Sequence, residues 1–431
     1  MRSVQTYQSS LSPELKDKLL HWASRFQEIC WLDSNNYRQN HGKFTAILAV
    51  DALTAIKTDA HNAFEDLKEY QSTVADWIFG YLTYDLKNDV EDLVSENTDH
   101  LHFPELYFFQ PKKVFLFSES SVEMHYLGMV DDEMSSDWQD IMASDISEVN
   151  QEKENPIKIK LRTSKDNYFE KVNEILSRID RGDIYEVNFC QEFYSENVQL
   201  DPLKTFIHLN EISSPPFATF IKLDEHYALC ASPERYLQRS GSTVISQPIK
   251  GTAKRLKDKE ADKQMIEALL NDPKERSENI MITDLVRNDL SRFARKGTVE
   301  VEELCAIYTF EQVHQMISTV RCEIDEETSP VEIIKQTFPM GSMTGAPKIS
   351  AMKIIEEMED AKRGLYSGAV GYFDPKSNFD FNVVIRSILY NEKKRYVSYS
   401  VGGAITSKSI PENEYEECLI KAKAMREALE K

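Results

Sequence analysis

Basic stretches, long apolar runs and paired cysteines are all missing from this 431-residue chain. Asp and Glu (72) outnumber Lys and Arg (51), which leaves a formal net charge of −21. A nucleic-acid-binding face asks for the opposite balance. No run of 18 apolar residues occurs, and the best stretch, 44–56, is broken by Asp51, so no membrane span is expected. The opening Met1-Arg2-Ser3-Val4-Gln5-Thr6 lacks the apolar centre of a signal peptide. Six cysteines (Cys30, Cys190, Cys230, Cys305, Cys322, Cys418) are scattered without a Cys-x-x-Cys pair. That argues against a disulfide framework or zinc site and makes a reducing cytoplasm the expected compartment. The acidic balance also constrains any small anionic substrate. Such a ligand is repelled by the average field, so its site must gather cations or a metal of its own.

What is present suits a soluble globular protein, with 41% hydrophobic and 29% charged residues. The length suggests about two or three domains. Apolar spacing predicts helices over 15–26, 165–180, 259–270, 275–286, 346–358 and 411–429. Ser164 is the expected cap of the second and Gly182 its stop. Strands are predicted at 79–84, 114–117, 185–193, 217–223, 227–231, 368–373, 382–390 and 397–401. Residues 131–156 are rich in acids, Ser and Asn and read as a linker or surface excursion, dividing an N-terminal region 1–156 from a region 157–431 denser in signals. The strands come in runs with hairpin-length links, which favours an α+β protein built on antiparallel sheets.

Several constellations could carry chemistry. Lys250 lies in Gln247-Pro248-Ile249-Lys250-Gly251-Thr252, where a turn could aim its amine inward. Burial beside other positive charge would lower its pKa and make it a nucleophile. Glu275 and Glu278 are spaced i, i+3 on one predicted helix, and Glu414 and Glu417 likewise on another, with Lys421 one turn on. Two such pairs could hold Mg²⁺, and they equally suit a solvated face. Gly341-Ser342-Met343-Thr344-Gly345-Ala346-Pro347-Lys348 could receive an anion at a helix start, or be a plain cap. Arg386 extends an apolar strand and needs an anionic partner, a ligand carboxylate or a protein acid. Tyr366 and the Val401-Gly402-Gly403-Ala404 stretch are grouped with it, the glycines either offering N–H groups to an anion or turning a hairpin. Asp284 to Leu290 reads as caps and ion pairs closing a helix. His314 alternates with apolar residues like a strand member, as a core histidine or a base.

In order, Gly182 to Asn188, Ser232-Pro233-Glu234-Arg235, Pro248-Ile249-Lys250-Gly251-Thr252, Asp284 to Leu290, Gly345-Ala346-Pro347-Lys348, Gly368-Ala369-Val370-Gly371-Tyr372 and Glu414 to Lys421 resemble the motifs of the chorismate-utilising enzymes over roughly 160–431. The resemblance implies two large antiparallel sheets packed as a sandwich with helices outside, the N-terminal region interleaved in the same globule. It implies Glu278 and Glu417 as Mg²⁺ ligands, with Glu275 and Glu414 supporting through metal-bound water. Thr252, Ser342, Tyr366, Arg386, Val401, Gly402, Gly403 and Lys421 would hold chorismate. His314 would stand beside the ring and Glu234 would serve as acid and base next to Lys250.

The branch within the family turns on Lys250. Anthranilate synthases typically have alanine at this position, so that ammonia attacks C2 directly, whereas aminodeoxychorismate synthases resemble this chain. The implied reaction has the Lys250 amine attack C2 as the C4 hydroxyl leaves, after which ammonia adds at C4 and expels the lysine. Anthranilate formation, or addition of water to give isochorismate or salicylate, are the alternatives. Cys30-Trp31-Leu32-Asp33-Ser34 and Pro215-Pro216-Phe217-Ala218 depart from the tryptophan-inhibited relatives, so tryptophan feedback is not expected. No segment resembles a glutamine amidotransferase, so ammonia is expected from solution or from an amidotransferase partner subunit.

Overall fold

A computed structural model describes residues 1–37, 41–144 and 157–430. Its twenty strands join into one antiparallel network, with eleven α-helices among the described residues. The two expected sheets are therefore continuous. One half runs from Glu186–Glu196 through Tyr396–Thr406, Ser387–Asn391, His226–Ser232 and Phe217–Leu223 to Glu28–Asp33 and Ala46–Thr58. The other runs from Leu106–Phe117 through Ile78–Leu82, Ala369–Phe373, Phe379–Val383 and Arg235–Ser240 to Thr243–Gln247 and Val313–Glu323. The two halves join where Ala46–Thr58 pairs with Leu106–Phe117. One apolar core draws on both halves, with Ile221, Ala228 and Cys230 from the first and Phe108, Phe373 and Phe381 from the second. A second core seats the helices Pro13–Ala23, Lys165–Arg181 and Pro411–Glu430 on the first half.

Local chemistry sets the helix ends. The Ser164 side chain accepts from the Asn167 amide at 3.3 Å, filling one of the unpaired N–H groups of the first turn. Gly182 closes the helix at φ +86°, in the left-handed region glycine enters at little cost. Between these ends Tyr168, Val172 and Ile175 are fully buried, spaced along one face of the helix.

Three expectations are corrected. Part of the supposed linker is structured: Met134–Ala143 is a helix, with Met134 and Ile141 in the second core and Asp137 accepting from buried Lys113 at 2.5 Å. Acidic composition hid it because one of its acids, Asp137, is itself buried and paired with Lys113. The rest of that segment, 145–156, lies outside the described residues. The strand predicted over 382–390 is two strands, Phe379–Val383 and Ser387–Asn391, and Arg386 sits in the break at φ +54°. The glycine pair does not turn a hairpin. Tyr396–Thr406 runs straight through Gly402 and Gly403, paired to Cys190 and Phe189. Among the described residues no helix is long and apolar enough to cross a membrane.

Candidate active site

Lys250 lies on the strand Ile249–Lys254, not in a turn. The register against Val313–Glu323 slips between Ile249 and Thr252. Gly251 makes this bulge at φ +91°, where a β-carbon would stand 3.1 Å from Glu275 Oε2. The bulge re-aims the lysine, and its Nζ donates to Glu186 Oε1 at 3.0 Å. Its surroundings are also the reverse of those expected. Burial alone would push the amine down, but Glu186, Glu278 and Glu234 outweigh it and hold it above the usual lysine range. In this state Lys250 is an ammonium, and it must lose a proton before it can attack anything. Thr252, two residues on, is exposed.

Glu234 occupies the short link by which the chain passes from His226–Ser232 in one half to Arg235–Ser240 in the other. Its side chain accepts from Ser342 Oγ at 2.6 Å. Burial pushes its carboxyl up to about 7, against the opposing pull of Ser342 and Lys250. A carboxyl poised there can both give and take a proton at neutral pH. Ser342 is fixed from behind. Buried Arg363 donates to Met343 O at 2.7 Å and to Asn188 O at 2.8 Å, and its ion pair with Glu359 at 2.6 Å balances its charge. The following residues, Gly345 and Ala346, pair with Val187 and Glu186 as a short strand. The loop thereby pins the Glu186–Glu196 strand. Its helix starts only at Lys348.

The acidic pairs face one another from two helices. Asp272 caps Pro273–Ser291 by accepting from the Lys274 and Glu275 amides at 2.8 and 3.0 Å. Lys274 Nζ stands 3.9 Å from Glu278 Oε1 and 3.6 Å from Glu414 Oε1, so it bridges the helices. Glu414 Oε2, Glu417 Oε1 and Lys421 Nζ lie 3.2, 3.8 and 3.8 Å from where a Gly403 β-carbon would be. Lys421 also pairs with Glu417 at 2.6 Å and donates to Gly402 O at 2.8 Å. Glu278 Oε1 is buried without a hydrogen bond, and burial pushes that carboxyl up to about 7. Glu417 moves the other way: burial opposes its ionisation, but Lys421 prevails and holds it below the usual range.

Among the described residues no three His, Cys, Asp or Glu side chains form a ready ligand set for one ion. Mg²⁺ needs only one or two carboxylates, with water and substrate oxygens completing its shell. Glu278 Oε1, which accepts no hydrogen bond, and the facing Glu414 and Glu417 fit that requirement.

Arg386 makes no side-chain hydrogen bond or ion pair among the described residues. Burial lowers its pKa, while Tyr366 and Glu417 oppose that. A guanidinium so placed suits a ligand carboxylate. Buried Tyr366 lies 3.3 Å from Cys190 Sγ. Val401 is buried opposite Gln191, and Gly402 admits no side chain, since a β-carbon would fall 2.5 Å from Phe189 O and closer still to Cys190 Sγ. Gly402→Ala should therefore lower the melting temperature, with a loss of about 1–3 kcal/mol from overpacking, and raise the substrate KM. Thermal melts and steady-state kinetics on one preparation check both.

His314 is fully buried, and its ring nitrogens stand 2.9 Å from Thr309 Oγ1 and 2.9 Å from Asp262 Oδ1. Four contributors are not singled out by the sequence: Glu186, Lys274, and the buried pair of Asp289 and Lys348, 2.6 Å apart. Glu186 had a readable signal, a lone acid within Ile184-Tyr185-Glu186-Val187-Asn188.

Arg386, half-buried and without a side-chain partner among the described residues, stands within the field of Glu417 on one of the two facing acidic helices. Residues 27–427 match the family model described as chorismate binding enzyme, and the chain belongs to that family. It is 34% identical over 370 residues to an anthranilate synthase component I-like protein of Synechocystis, covering 86% of this chain and 76% of that one. It is 30% identical over 361 residues to aminodeoxychorismate synthase component 1 of Bacillus subtilis, covering 81% and 76%. The fold matches anthranilate synthase component I from Streptococcus pneumoniae with a TM-score of 0.78 at 23% identity, covering 91% of this chain and 95% of that one. It also matches the menaquinone-specific isochorismate synthase of Escherichia coli at 0.76 and 16% identity, covering 100% and 95%.

Proposed function

We propose that this chain aminates chorismate at C4, forming 4-amino-4-deoxychorismate with ammonia delivered by a glutamine amidotransferase partner. The observation that carries this reading is Lys250, a nucleophile-bearing side chain on a bulge with a proton acceptor at 3.0 Å and a carboxyl poised near neutrality within its field. The relative named aminodeoxychorismate synthase component 1 supports it.

In this mechanism Arg386 and Lys421 hold substrate carboxylates, and Tyr366 and the Gly402 backbone shape the wall. Glu186 takes a proton from Lys250. The free amine attacks C2 as Glu234 gives its proton to the C4 hydroxyl, which leaves as water. Ammonia then adds at C4, the bond to lysine breaks, and Lys250 recovers its proton from Glu186. Mg²⁺, held by Glu278 and Glu417 with Glu275 and Glu414 behind them, would neutralise a substrate carboxylate when bound. Adding Mg²⁺ should raise the melting temperature reversibly to EDTA, by the equivalent of about 2.7 kcal/mol at a hundredfold excess over Kd. Glu278→Gln should abolish that shift.

The test of the reaction is purified protein with chorismate, Mg²⁺ and ammonium, read by mass spectrometry. The expected product is 4-amino-4-deoxychorismate, and anthranilate alone overturns the reading. Anthranilate formation is the second reading, supported by the 34% identity to an anthranilate synthase component I-like protein. The same assay separates the two.

A further inference from the structure

Behind Glu234 and Ser342 lies a small cavity that the mechanism above does not use. Its polar lining comprises Glu234, Asp289, Ser246, Thr337, Ser342, Tyr236 and Arg235, whose guanidinium is engaged by Asp380 and Gln247, and Val286 and Leu290 are among its apolar walls. The centre of a water-sized molecule can occupy about 20 Å³ of it, enough for one small polar guest. Asp289 is 3% exposed. Its Oδ2 accepts from Lys348 at 2.6 Å. Its Oδ1 is buried without a hydrogen bond, and Arg292 stands 3.7 Å from it, beyond hydrogen-bonding reach. A buried acceptor left unmet is costly, so this oxygen points to a donor in the cavity.

The rest of the lining narrows the choice of donor. Ser342 gives its hydroxyl hydrogen to Glu234 Oε1 at 2.6 Å, and Ser246 gives its own to Tyr236 O at 2.7 Å. Thr337 Oγ1 stands 2.5 Å from the Tyr236 hydroxyl, and Ile333 O at 3.2 Å and Ile334 O at 3.1 Å are in reach of its hydrogen. These hydroxyls turn lone pairs, not hydrogens, to any guest. Water brings two donors and two acceptors, whereas ammonium brings four donors and no acceptor. The cavity is matched to ammonium.

Resting on the amination reading, we infer that this cavity, bounded by Glu234 and Asp289, is the site from which ammonium is deprotonated and delivered to C4. Glu234 emerges from protonating the leaving hydroxyl as a carboxylate. It then takes one proton from the ammonium, which releases neutral ammonia for bond formation at C4 and restores the acid for the next turnover. Over the cycle one C4–O bond breaks, one C4–N bond forms and water leaves, so the chorismate hydroxyl and one ammonium yield the protonated amine and water. No oxidant or further reactant is needed.

Val286 offers a test that leaves every polar group in place. Val286→Ile adds one methylene to the cavity wall and should raise the ammonium KM about tenfold while leaving the chorismate KM within about twofold, the pattern of a lost ammonium site alone. Val286→Ala enlarges the cavity and should let methylammonium serve as nucleophile, giving a product heavier by one CH₂. An unchanged ammonium KM in Val286→Ile overturns the inference and makes the cavity a structural water site. Parallel rises in both KM values overturn it too. No amination by the unsubstituted protein, even with saturating ammonium, removes the amination reading and this inference with it.

Discussion

Lys250→Ala should lose amination by about 10³-fold or more in kcat, as removal of a covalent nucleophile does, while still binding chorismate in the presence of Mg²⁺. Lys250→Arg should not restore the rate, because a guanidinium keeps the charge beside Glu186 but cannot surrender a proton. This pair of variants separates two roles the structure gives the residue. As an ammonium, Lys250 balances Glu186, Glu278 and Glu234. As an amine, it attacks. If charge balance were its whole contribution, the arginine variant would recover most of the activity. Isothermal titration gives binding and quenched-flow mass spectrometry gives chemistry. Any anthranilate formed by the alanine variant would show that position 250 steers ammonia between C2 and C4. Unchanged amination in Lys250→Ala would eliminate the covalent step.

Glu234→Gln should cost about 10²–10⁴-fold in kcat, the range for loss of a positioned acid. The glutamine can still accept from Ser342, so the loop should hold. The pH dependence carries a sign that can be worked out. Glu234 must be protonated to help the hydroxyl leave, so the unsubstituted enzyme should lose rate as pH rises through about 7. The glutamine variant should lack that limb. Stability should move in the same direction. A carboxyl raised from 4.5 to about 7 in the folded state contributes stability that is complete below pH 4.5 and is lost as pH rises toward 7. The change is about 3 kcal/mol at most from this group. Relative to the parent, Glu234→Gln should therefore melt higher at pH 8 than at pH 5. A variant whose relative stability does not change with pH would remove the raised carboxyl from the account.

Elements set by local rules were legible from the chain. The Ser164 cap, the Gly182 stop, the strand Phe217–Leu223 and the start of the last helix at Pro411 all depend on a few neighbouring residues. The acidic pairs, Arg386 and Lys250 were legible as groups needing partners. Their partners were less so, because antiparallel pairing joins residues far apart in the sequence. Glu186, Glu234 and Glu278 reach Lys250 from three separate elements, while the charges next to it in sequence are Lys254 and Arg255. The lowered pKa expected from burial beside positive charge is not met, because the fold supplies acids that raise it. The break at Arg386 was hidden for a related reason. An apolar run from Phe381 to Ile385 looks like one strand, and only the crossing of two strand systems there turns the chain at φ +54°.

The strands contributed by the first hundred residues also bear on how the molecule can be divided. Glu28–Asp33 is flanked on both sides, by Ala46–Thr58 and by Phe217–Leu223. Ile78–Leu82 lies between Leu106–Phe117 and Ala369–Phe373. A fragment beginning at residue 157 would keep Lys250, Glu234 and every acidic pair. It would also carry two bare apolar rims where those strands had been, and open rims recruit other chains. The chemistry is thus encoded in one part of the gene product, but its solubility as a separate piece depends on strands encoded in the other.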